Sequence, residues 1–311
     1  MNNNNVHFSI ISPVYNASEI LPLLVDKIIF NIELISKNYE IILIDDCSND
    51  NSWSVLENIA FKNNKIKICK LSRNFGQHYA ITAGLDICSG EWVIVMDCDL
   101  QDRPEEFLKL YSKSQEGFDI VLAKRVNRKD KILKKIYSFV FYKFLGYLTG
   151  TKQDETIANF GIYNYKVIKE LKIMREKIRY FPTMIKWVGF STSTITVEHA
   201  IRNSGSSSYN FKKMYHLALD IILAYSDKPI RIIIKSGIII SSISFLMLIY
   251  IYIKWITGAI SVMGYSSLIM SIWFLSGFII TTLGVVGLYI GKIFEGVKDR
   301  PLYIINKKIN F

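Results

Sequence analysis

The chain has 311 residues, half of them hydrophobic, and its 38 lysines and arginines against 27 aspartates and glutamates give a net charge of +11. This length is sufficient for two domains, and the apolar content excludes a disordered chain, a collagen-like repeat and a small disulfide scaffold. The four cysteines include no CxxC pair, which favours a reducing compartment and argues against a zinc site.

Short β-rich runs alternate with helical patterns over the first third of the chain. Strands are predicted at His7–Ser12, Glu40–Ile44, Ile66–Lys70, Trp92–Met96 and Asp119–Leu122. Helices are predicted at Glu19–Ser36, Ser52–Lys62, Gln77–Cys88 and Pro104–Glu116. This alternation predicts an α/β sheet, largely parallel, with helices on both faces. The N-terminus lacks the basic and apolar regions of a signal peptide, so we expect this half of the chain not to be exported.

Polar clusters follow three of these strands. They are Pro13-Val14-Tyr15-Asn16, Asp45-Asp46 and Asp97-Cys98-Asp99. Ligands of open α/β sheets bind outside the carboxyl ends of the strands, so the three clusters are predicted to converge on one crevice. The sequence contains no GxGxxG or P-loop motif, so neither the dinucleotide fingerprint nor a P-loop site is supported.

Asp97 and Asp99 lie directly after an apolar strand. Carboxylates in such a place are costly unless a cation neutralises them. Mg²⁺ or Mn²⁺ suits two carboxylates when substrate phosphate oxygens complete the coordination. A solvated acidic turn is the alternative interpretation of the same triplet.

Two apolar segments near the end of the chain, Ile232–Ile253 and Leu268–Gly291, each exceed the ~20 residues that a transmembrane helix needs. Neither has the polar stripe of a soluble core helix. Basic residues flank the pair, and the connection Thr257–Ser267 carries no charge. The positive-inside rule therefore predicts a multi-pass protein of the cytoplasmic membrane, with the N-terminal domain and both termini cytoplasmic.

Residues 131–147 and 211–225 repeat apolar side chains at helical spacing. Helices at the membrane interface and helices packed on the core both explain this pattern. We therefore predict four regions: an α/β core at 1–130, an extension with amphipathic helices at 131–229, two transmembrane helices at 230–292, and a cytoplasmic tail at 293–311.

Several segments spread over nearly the whole chain match one known family. They are Ser12–Asn16, Ile44–Ser48, Leu71–Gly76, Thr82–Asp86, Met96–Glu105, Trp187–Phe190, Arg202–Tyr209 and Glu295–Tyr303. They resemble the family 2 glycosyltransferases that act on polyprenyl phosphates, relatives of dolichyl-phosphate mannose synthase and the bactoprenol glucosyltransferases. The resemblance implies a GT-A-like, Rossmann-like domain followed by a two-helix transmembrane region. It also implies that residues 1–130 form the catalytic glycosyltransferase core and residues 131–229 the acceptor-side extension. It also implies inverting transfer of a hexose from a nucleotide-diphosphate sugar to a polyprenyl phosphate, such as undecaprenyl phosphate, at the cytoplasmic face.

The resemblance also implies roles for individual residues. Asp97, Asp99 and Gln101 would hold Mg²⁺ or Mn²⁺ on the donor diphosphate, and Asp97, Asp99 and Asp102 would be the catalytic residues. The nucleotide-sugar pocket would be lined by Pro13, Tyr15, Asn16, Asp45, Asp46, Arg73 and Asn74. Candidates for the acceptor phosphate are Arg125, Arg128, Arg202, Ser206 and Tyr209.

The sequence departs from the family pattern at a few positions. Cys98 and Arg103 replace the usual alanine and proline, and Ser208 replaces a lysine. A common Gly-Asp-Phe appears as Ala158-Asn159-Phe160, so a carboxylate is missing there. We expect the donor sugar to differ from that of better-known members if that carboxylate contacts the sugar.

Two other functions remain open at this point. The acceptor could be a hydroxyl of a lipid-linked oligosaccharide in surface-polysaccharide assembly, which needs a general base such as Asp102. The chain could also be a non-catalytic membrane scaffold that kept the fold. The expected partners are a nucleotide-diphosphate sugar, a polyprenyl phosphate and the membrane, with no nucleic acid. Self-association through the transmembrane helices is compatible with the sequence.

Overall fold

The computed structural model describes residues 6–125, 157–197, 226, 228–257 and 264–311. These residues fall into two compact units. The catalytic unit holds everything described before residue 198 together with residues 300–311, and the helical unit holds the described residues between 226 and 299.

The catalytic unit contains a sheet and the helices that cover it. Its strands are β1 (Phe8–Val14), β2 (Tyr39–Asp45), β3 (Ile66–Leu71), β4 (Trp92–Val95), β5 (Ile120–Arg125), β6 (Ile157–Asn164), β7 (Thr192–Val197) and β8 (Ile305–Ile309). Its helices are α1 (Leu21–Glu33), α2 (Ser52–Lys62), α3 (Gln77–Ile87), α4 (Phe107–Ser114), α5 (Tyr165–Ile173) and α6 (Phe181–Val188), with a 3₁₀ turn at Pro104–Glu106 before α4. The five predicted strands are all present, and each starts within one residue of its predicted start.

The sheet has eight strands in the order β7-β5-β6-β4-β1-β2-β3-β8. Its centre, β4-β1-β2-β3, is parallel as predicted. However, β6 is antiparallel to both β4 and β5, and β8 is antiparallel to β3, so the sheet is mixed rather than largely parallel. This corrects the sequence-based expectation, which lacked β6, β7 and β8 because no local β/α alternation marks them.

Apolar side chains fill both faces of the sheet. α1, α2 and α4 cover one face, and α3, α5 and α6 cover the other. α3 approaches β1 closely at Gly84, where a Cβ would lie 2.4 Å from Cγ2 of Ile11. Glycine at this position therefore allows α3 to pack directly against the centre of the sheet, which sets the position of its N-terminal end.

The sheet extends beyond the predicted core at 1–130. β6 and β7 lie within the predicted acceptor-side extension, and β8 lies within the predicted C-terminal tail. Distant parts of the chain therefore complete the sheet. The two amphipathic segments at 131–147 and 211–225 lie outside the described residues.

The helical unit contains α7 (Lys228–Ile256) and α8 (Tyr265–Val297). Within the described residues, one helical segment, Phe274–Val297 in α8, is long and apolar enough to cross a membrane. Some side chains of α7 lie outside the described part of the chain. This segment overlaps the second predicted transmembrane helix, Leu268–Gly291.

Candidate active site

Three strand ends meet at one edge of the sheet, which we call the carboxyl edge. In the register of β1 with its neighbours, Val14 pairs with Asp45 of β2, and Ile11 pairs with Val95 of β4. The turn after each strand contains a non-glycine residue in the left-handed region: Asn16 (φ 50°), Cys47 (φ 57°) and Leu100 (φ 58°). Such residues are uncommon and tend to cluster at functional sites, so this edge is the candidate site.

Asp45 is fully buried at the end of β2. Its Oδ1 accepts hydrogen bonds from the amide and the hydroxyl of Ser48. Its Oδ2 is also buried and has no partner within the described part of the chain. Because buried polar atoms are nearly always hydrogen-bonded in native proteins, this oxygen is a candidate acceptor for a ligand.

The turns after β1 and β2 are tied together by side chains. The amide of Asn16 donates to Ser48 Oγ (3.0 Å), and the amide of Asn49 donates to Asn16 Oδ1 (2.9 Å). Asn49 Nδ2 lies 3.4 Å from the hydroxyl of Tyr15, whose side chain is 45% exposed. Pro13 is buried in β1 beyond the end of β4. The tyrosine ring is thus open to a ligand at this edge.

Asp46 holds the loop of residues 72–76, which we call the β3–α3 loop. Its Oδ1 and Oδ2 accept hydrogen bonds from the amides of Phe75 and Gly76, both at 2.8 Å. Burial raises the pKa of Asp46, although the two amides oppose this shift. Each carboxylate oxygen of Asp46 thus accepts one backbone amide, and the two hydrogen bonds hold the β3–α3 loop beside the carboxyl edge.

Arg73 and Asn74 are exposed on the same loop. The guanidinium of Arg73 lies over the ring of Phe75, 4.5 Å from its centroid. This cation–π contact keeps the positive charge beside the carboxyl edge.

The acidic triplet after β4 is organised by its neighbours. Gln77 Nε2 donates to Asp97 Oδ1 (2.5 Å), and the amide of Gln101 donates to Asp99 Oδ1 (3.1 Å). The amide of Asp97 donates to Asp102 Oδ2 (3.0 Å), and Asp102 is only 3% exposed. Asp97 and Asp99 are half-buried, so they can meet a ligand, whereas Asp102 supports the turn from within.

Comparison with known proteins identifies the family. The profile of the family described as "Glycosyl transferase family 2" matches residues 9–172. The chain belongs to glycosyltransferase family 2. It is 35% identical to an uncharacterized glycosyltransferase of Bacillus subtilis over 97% of this chain and 94% of that protein. It is 36% identical to a prophage-derived bactoprenol glucosyl transferase of Shigella flexneri over 96% of this chain and 97% of that protein.

The fold comparison agrees with the family. Glucosyl-3-phosphoglycerate synthase from Mycobacterium tuberculosis, solved with Mn²⁺, UDP and phosphoglyceric acid, superposes with a TM-score of 0.51. The match covers 70% of this chain and 76% of that chain at 14% identity, so it bears on the fold alone. The GT-A-like α/β fold and the glycosyltransferase class predicted from the sequence are confirmed.

In this glycosyltransferase, two carboxylates do not complete a metal site. The described residues contain no group of three or more His, Cys, Asp or Glu side chains that could hold an ion. Asp97 and Asp99 nevertheless fit Mg²⁺ or Mn²⁺, because such ions take few protein carboxylates and fill their remaining positions with phosphate oxygens and water. Burial, together with the adjacent Asp97, raises the pKa of the Cys98 thiol to about 12, so this thiol stays protonated at neutral pH.

The departure at Asn159 lies beside the glycosyltransferase site. β6 runs antiparallel to β4 with Gly161 opposite Val95, so Asn159, two residues earlier in β6, lies toward the Asp97 turn. Its carbonyl accepts a hydrogen bond from the hydroxyl of Tyr163 (3.1 Å). Burial and the charge of Asp102 raise the pKa of Tyr163. The residue of β6 that lies toward the Asp97 turn is therefore uncharged.

The predicted acceptor residues have no structural test. Arg128, Arg202, Ser206 and Tyr209 lie outside the described residues, as does the side chain of Arg125 at the end of β5. Conversely, the sequence reasoning missed Gln77, Ser48 and Asn49. Gln77 carried a usable signal, because it begins the helix after Gly76 and directly follows a recognised motif.

The opposite edge of the sheet contains a buried carboxylate of a different kind. Glu40 accepts from Ser9 Oγ, from Lys67 Nζ (2.6 Å), and from both the amide and the hydroxyl of Ser89. Burial opposes its ionisation, but the hydrogen bonds from Lys67, Ser9 and Ser89 outweigh this effect and lower its pKa. Glu40 lies at the start of β2, at the edge formed by the amino ends of the parallel strands, which we call the amino edge. Because its carboxylate is fully hydrogen-bonded within the protein, we assign it a structural role.

Proposed function

We propose that this glycosyltransferase moves a hexose from a nucleotide-diphosphate sugar to the phosphate of a polyprenyl lipid, such as undecaprenyl phosphate, with inversion of the anomeric configuration. The observation that carries the proposal is the meeting of an unpartnered buried acceptor, Asp45 Oδ2, with the Asp97–Asp99 pair at one edge of the sheet. The similarity to a bactoprenol glucosyl transferase over nearly the full length of both chains supports the lipid acceptor.

The donor is held by residues of the first two strand ends. Asp45 Oδ2 accepts a hydrogen bond from an N–H group of the nucleobase, and the exposed ring of Tyr15 packs against the base. Arg73 supplies positive charge toward the diphosphate. These contacts fix the donor with its diphosphate near the turn after β4.

Asp97 and Asp99 hold the divalent ion in this proposal, together with Gln101. The ion, when bound, offsets the negative charge that develops on the leaving nucleoside diphosphate. Gln77 fixes the orientation of the Asp97 carboxylate, and Asp102 fixes the backbone of the turn through the Asp97 amide. The pair is therefore pre-oriented before substrates arrive.

The state of Asp102 favours a phosphate acceptor over a hydroxyl. A lipid phosphate is anionic near neutral pH and needs no strong general base, whereas a sugar hydroxyl does. Asp102 is the nearby candidate base, but it is buried and accepts from the Asp97 amide. The acceptor phosphate itself is assigned to Arg125, Arg128, Arg202, Ser206 and Tyr209, as the resemblance implies.

The strand order supports two membrane crossings. β8 follows α8 in sequence yet pairs with β3, whose chain precedes α7, and strands cannot pair across a bilayer. Residues between β7 and β8 must therefore leave and return on the same side, so the number of crossings is even. α7 has 29 residues, roughly 43 Å of helix, and the hydroxyls of Ser236 and Ser242 donate to carbonyls of their own helix. We assign α7 and α8 as the two spans, and we place the catalytic unit and both termini in the cytoplasm because basic residues flank the pair of spans.

The function is tested by supplying membranes that contain the protein with undecaprenyl phosphate, Mn²⁺ and a panel of labelled nucleotide sugars. We expect one sugar to appear in a lipid with a single hexose on its phosphate. Label that appears only in a longer lipid-linked oligosaccharide would establish the hydroxyl-acceptor alternative. The topology is tested with tags at Met1 and Phe311, which should both be cytoplasmic, and with Ser261→Cys, which should react with an impermeant reagent from outside.

A further inference from the structure

Residues 300–311 are the last part of the predicted C-terminal tail, and we call this shorter segment the tail from here on. They belong to the catalytic unit although α7 and α8 precede them in the chain. β8 pairs with β3 from Ile68–Ile309 to Leu71–Ile305. Beyond β8, the carboxamide of Asn310 donates to the carbonyls of Ala60 and Ile66, both at 2.8 Å. The last residues of the chain are therefore fastened to the end of α2 and the start of β3.

The first half of the tail holds the end of α3. The hydroxyl of Tyr303 donates to Asp86 Oδ2 (2.7 Å), and Arg175 donates to both oxygens of Asp86 (2.8 and 3.0 Å). Tyr303 also packs against the apolar cluster beneath α3. Burial, followed by the hydrogen bond to Asp86, raises the pKa of Tyr303, so its hydroxyl remains a donor at neutral pH. Asp86 thus links the tail to the last turn of α3.

The tail also reaches the β3–α3 loop. The amide of Ser72 donates to the carbonyl of Ile304 (2.9 Å), directly before β8 begins. On its other side this loop is held by Asp46 through the amides of Phe75 and Gly76. The next residue, Gln77, donates to Asp97. A continuous series of contacts therefore runs from the tail to the carboxylate pair.

We infer that the tail positions the β3–α3 loop and α3 so that Gln77 meets Asp97, with Tyr303 as a positioning residue for the donor site. β3 would be the edge strand without β8, and loops at an unpaired edge open readily. The role of the positioned site rests on the proposed function, whereas the restraint of the loop does not. The donor site then depends on a segment that follows the two long helices in the chain.

Hydrogen exchange tests the restraint in the full-length protein. Tyr303→Phe removes one hydroxyl and keeps the ring that packs against α3. The matched control is Tyr39→Phe, because the hydroxyl of Tyr39 donates to Glu33 (2.8 Å), at the amino end of β2. Loss of one hydrogen bond should speed exchange of the Phe75 and Gly76 amides about fivefold to tenfold in Tyr303→Phe and leave them unchanged in Tyr39→Phe.

A binding measurement tests the consequence for the site. Tyr303→Phe should raise the Kd of a nucleoside diphosphate in the presence of Mn²⁺ about fivefold and leave the KM for the lipid acceptor unchanged. Asp86→Asn should act in the same direction. Equal exchange and equal nucleotide affinity in the Tyr303 and Tyr39 variants would overturn the inference. Faster exchange in Tyr303→Phe, with a wild-type protein that binds no nucleoside diphosphate, would sustain the restraint and refute the proposed function.

Discussion

The two edges of the sheet differ in how their buried carboxylates are hydrogen-bonded. At the amino edge, Glu40 receives hydrogen bonds from Lys67, Ser9 and Ser89, so its carboxylate is fully paired. At the carboxyl edge, Asp45 keeps one buried oxygen without a partner in the described part of the chain, and three turns are left-handed. A satisfied charge contributes to stability, whereas an unsatisfied one in a strained setting indicates a ligand.

The largest expected effect is on catalysis at the carboxyl edge. Asp99→Asn should lower turnover by about 10²-fold or more, because it removes a charge that holds the ion on the leaving group. Initial rates at saturating donor and Mn²⁺ measure this, with Asp26→Asn, an exposed site on α1, as the control. Turnover near that of the wild type in Asp99→Asn, or turnover that persists in EDTA, contradicts the metal assignment.

A substitution at the amino edge should instead lower the stability of the fold. Glu40→Ala should lower the free energy of unfolding by about 3 kcal/mol, the lower end for a broken buried pair, because Lys67 is 25% exposed. Denaturant unfolding of the full-length protein measures the loss, and nucleotide affinity of the folded fraction should stay unchanged. A variant with normal stability and weakened nucleotide binding would reverse the roles of the two edges.

Asp45→Asn should affect nucleotide binding at the carboxyl edge rather than stability. It should raise the Kd of the nucleoside diphosphate about 10- to 100-fold, because an amide replaces the charged acceptor. Its stability should change little, since the remaining oxygen can still accept from Ser48. Asp50→Asn is the control in the same turn, because both oxygens of Asp50 already accept from Ser18 and Ser52. Equal loss of affinity in both variants would mean that the turn, rather than the unpartnered oxygen, matters.

The smallest expected effect concerns His78, the second residue of α3, whose Nδ1 is buried without a partner in the described part of the chain. Burial, reinforced by the Arg179 cation, lowers its pKa to about 4. The folded protein therefore keeps His78 neutral while the unfolded chain takes up a proton below about pH 6.5, so stability is lost as the pH falls. Unfolding at pH 7.5 and pH 6 should differ by about 0.8 kcal/mol from this group.

His78→Gln should abolish that part of the pH dependence. His7→Gln, a substitution at the amino edge, should retain it. A pH dependence that is the same in both variants would show that His78 does not titrate on unfolding and that its burial is not maintained in solution.

Local patterns in the sequence were sufficient to predict the first five strands and to propose where the site lies. Alternating strands and helices located β1 to β5 within a residue or so of their starts, and the position of Asp45, Asp97 and Asp99 after strands predicted one site. The strand prediction succeeds because side-chain periodicity depends on neighbours in the chain, whereas the site residues stay a prediction. The family resemblance added the glycosyltransferase class on the same kind of local motif.

The remaining strand pairings and the hydrogen-bond partners of the site residues depend on contacts between distant parts of the chain. Nothing near Ile305–Ile309 in sequence shows that it pairs with β3, and nothing near Ile157–Asn164 shows that it runs antiparallel to β4. The sequence predicts Asp46 and Asp102 as site residues, but it does not show that the amides of Phe75 and Gly76 donate to Asp46 or that the Asp97 amide donates to Asp102. Those partners are brought together by the packing of whole elements, and their free energy of interaction depends on distances that exist only in the folded chain.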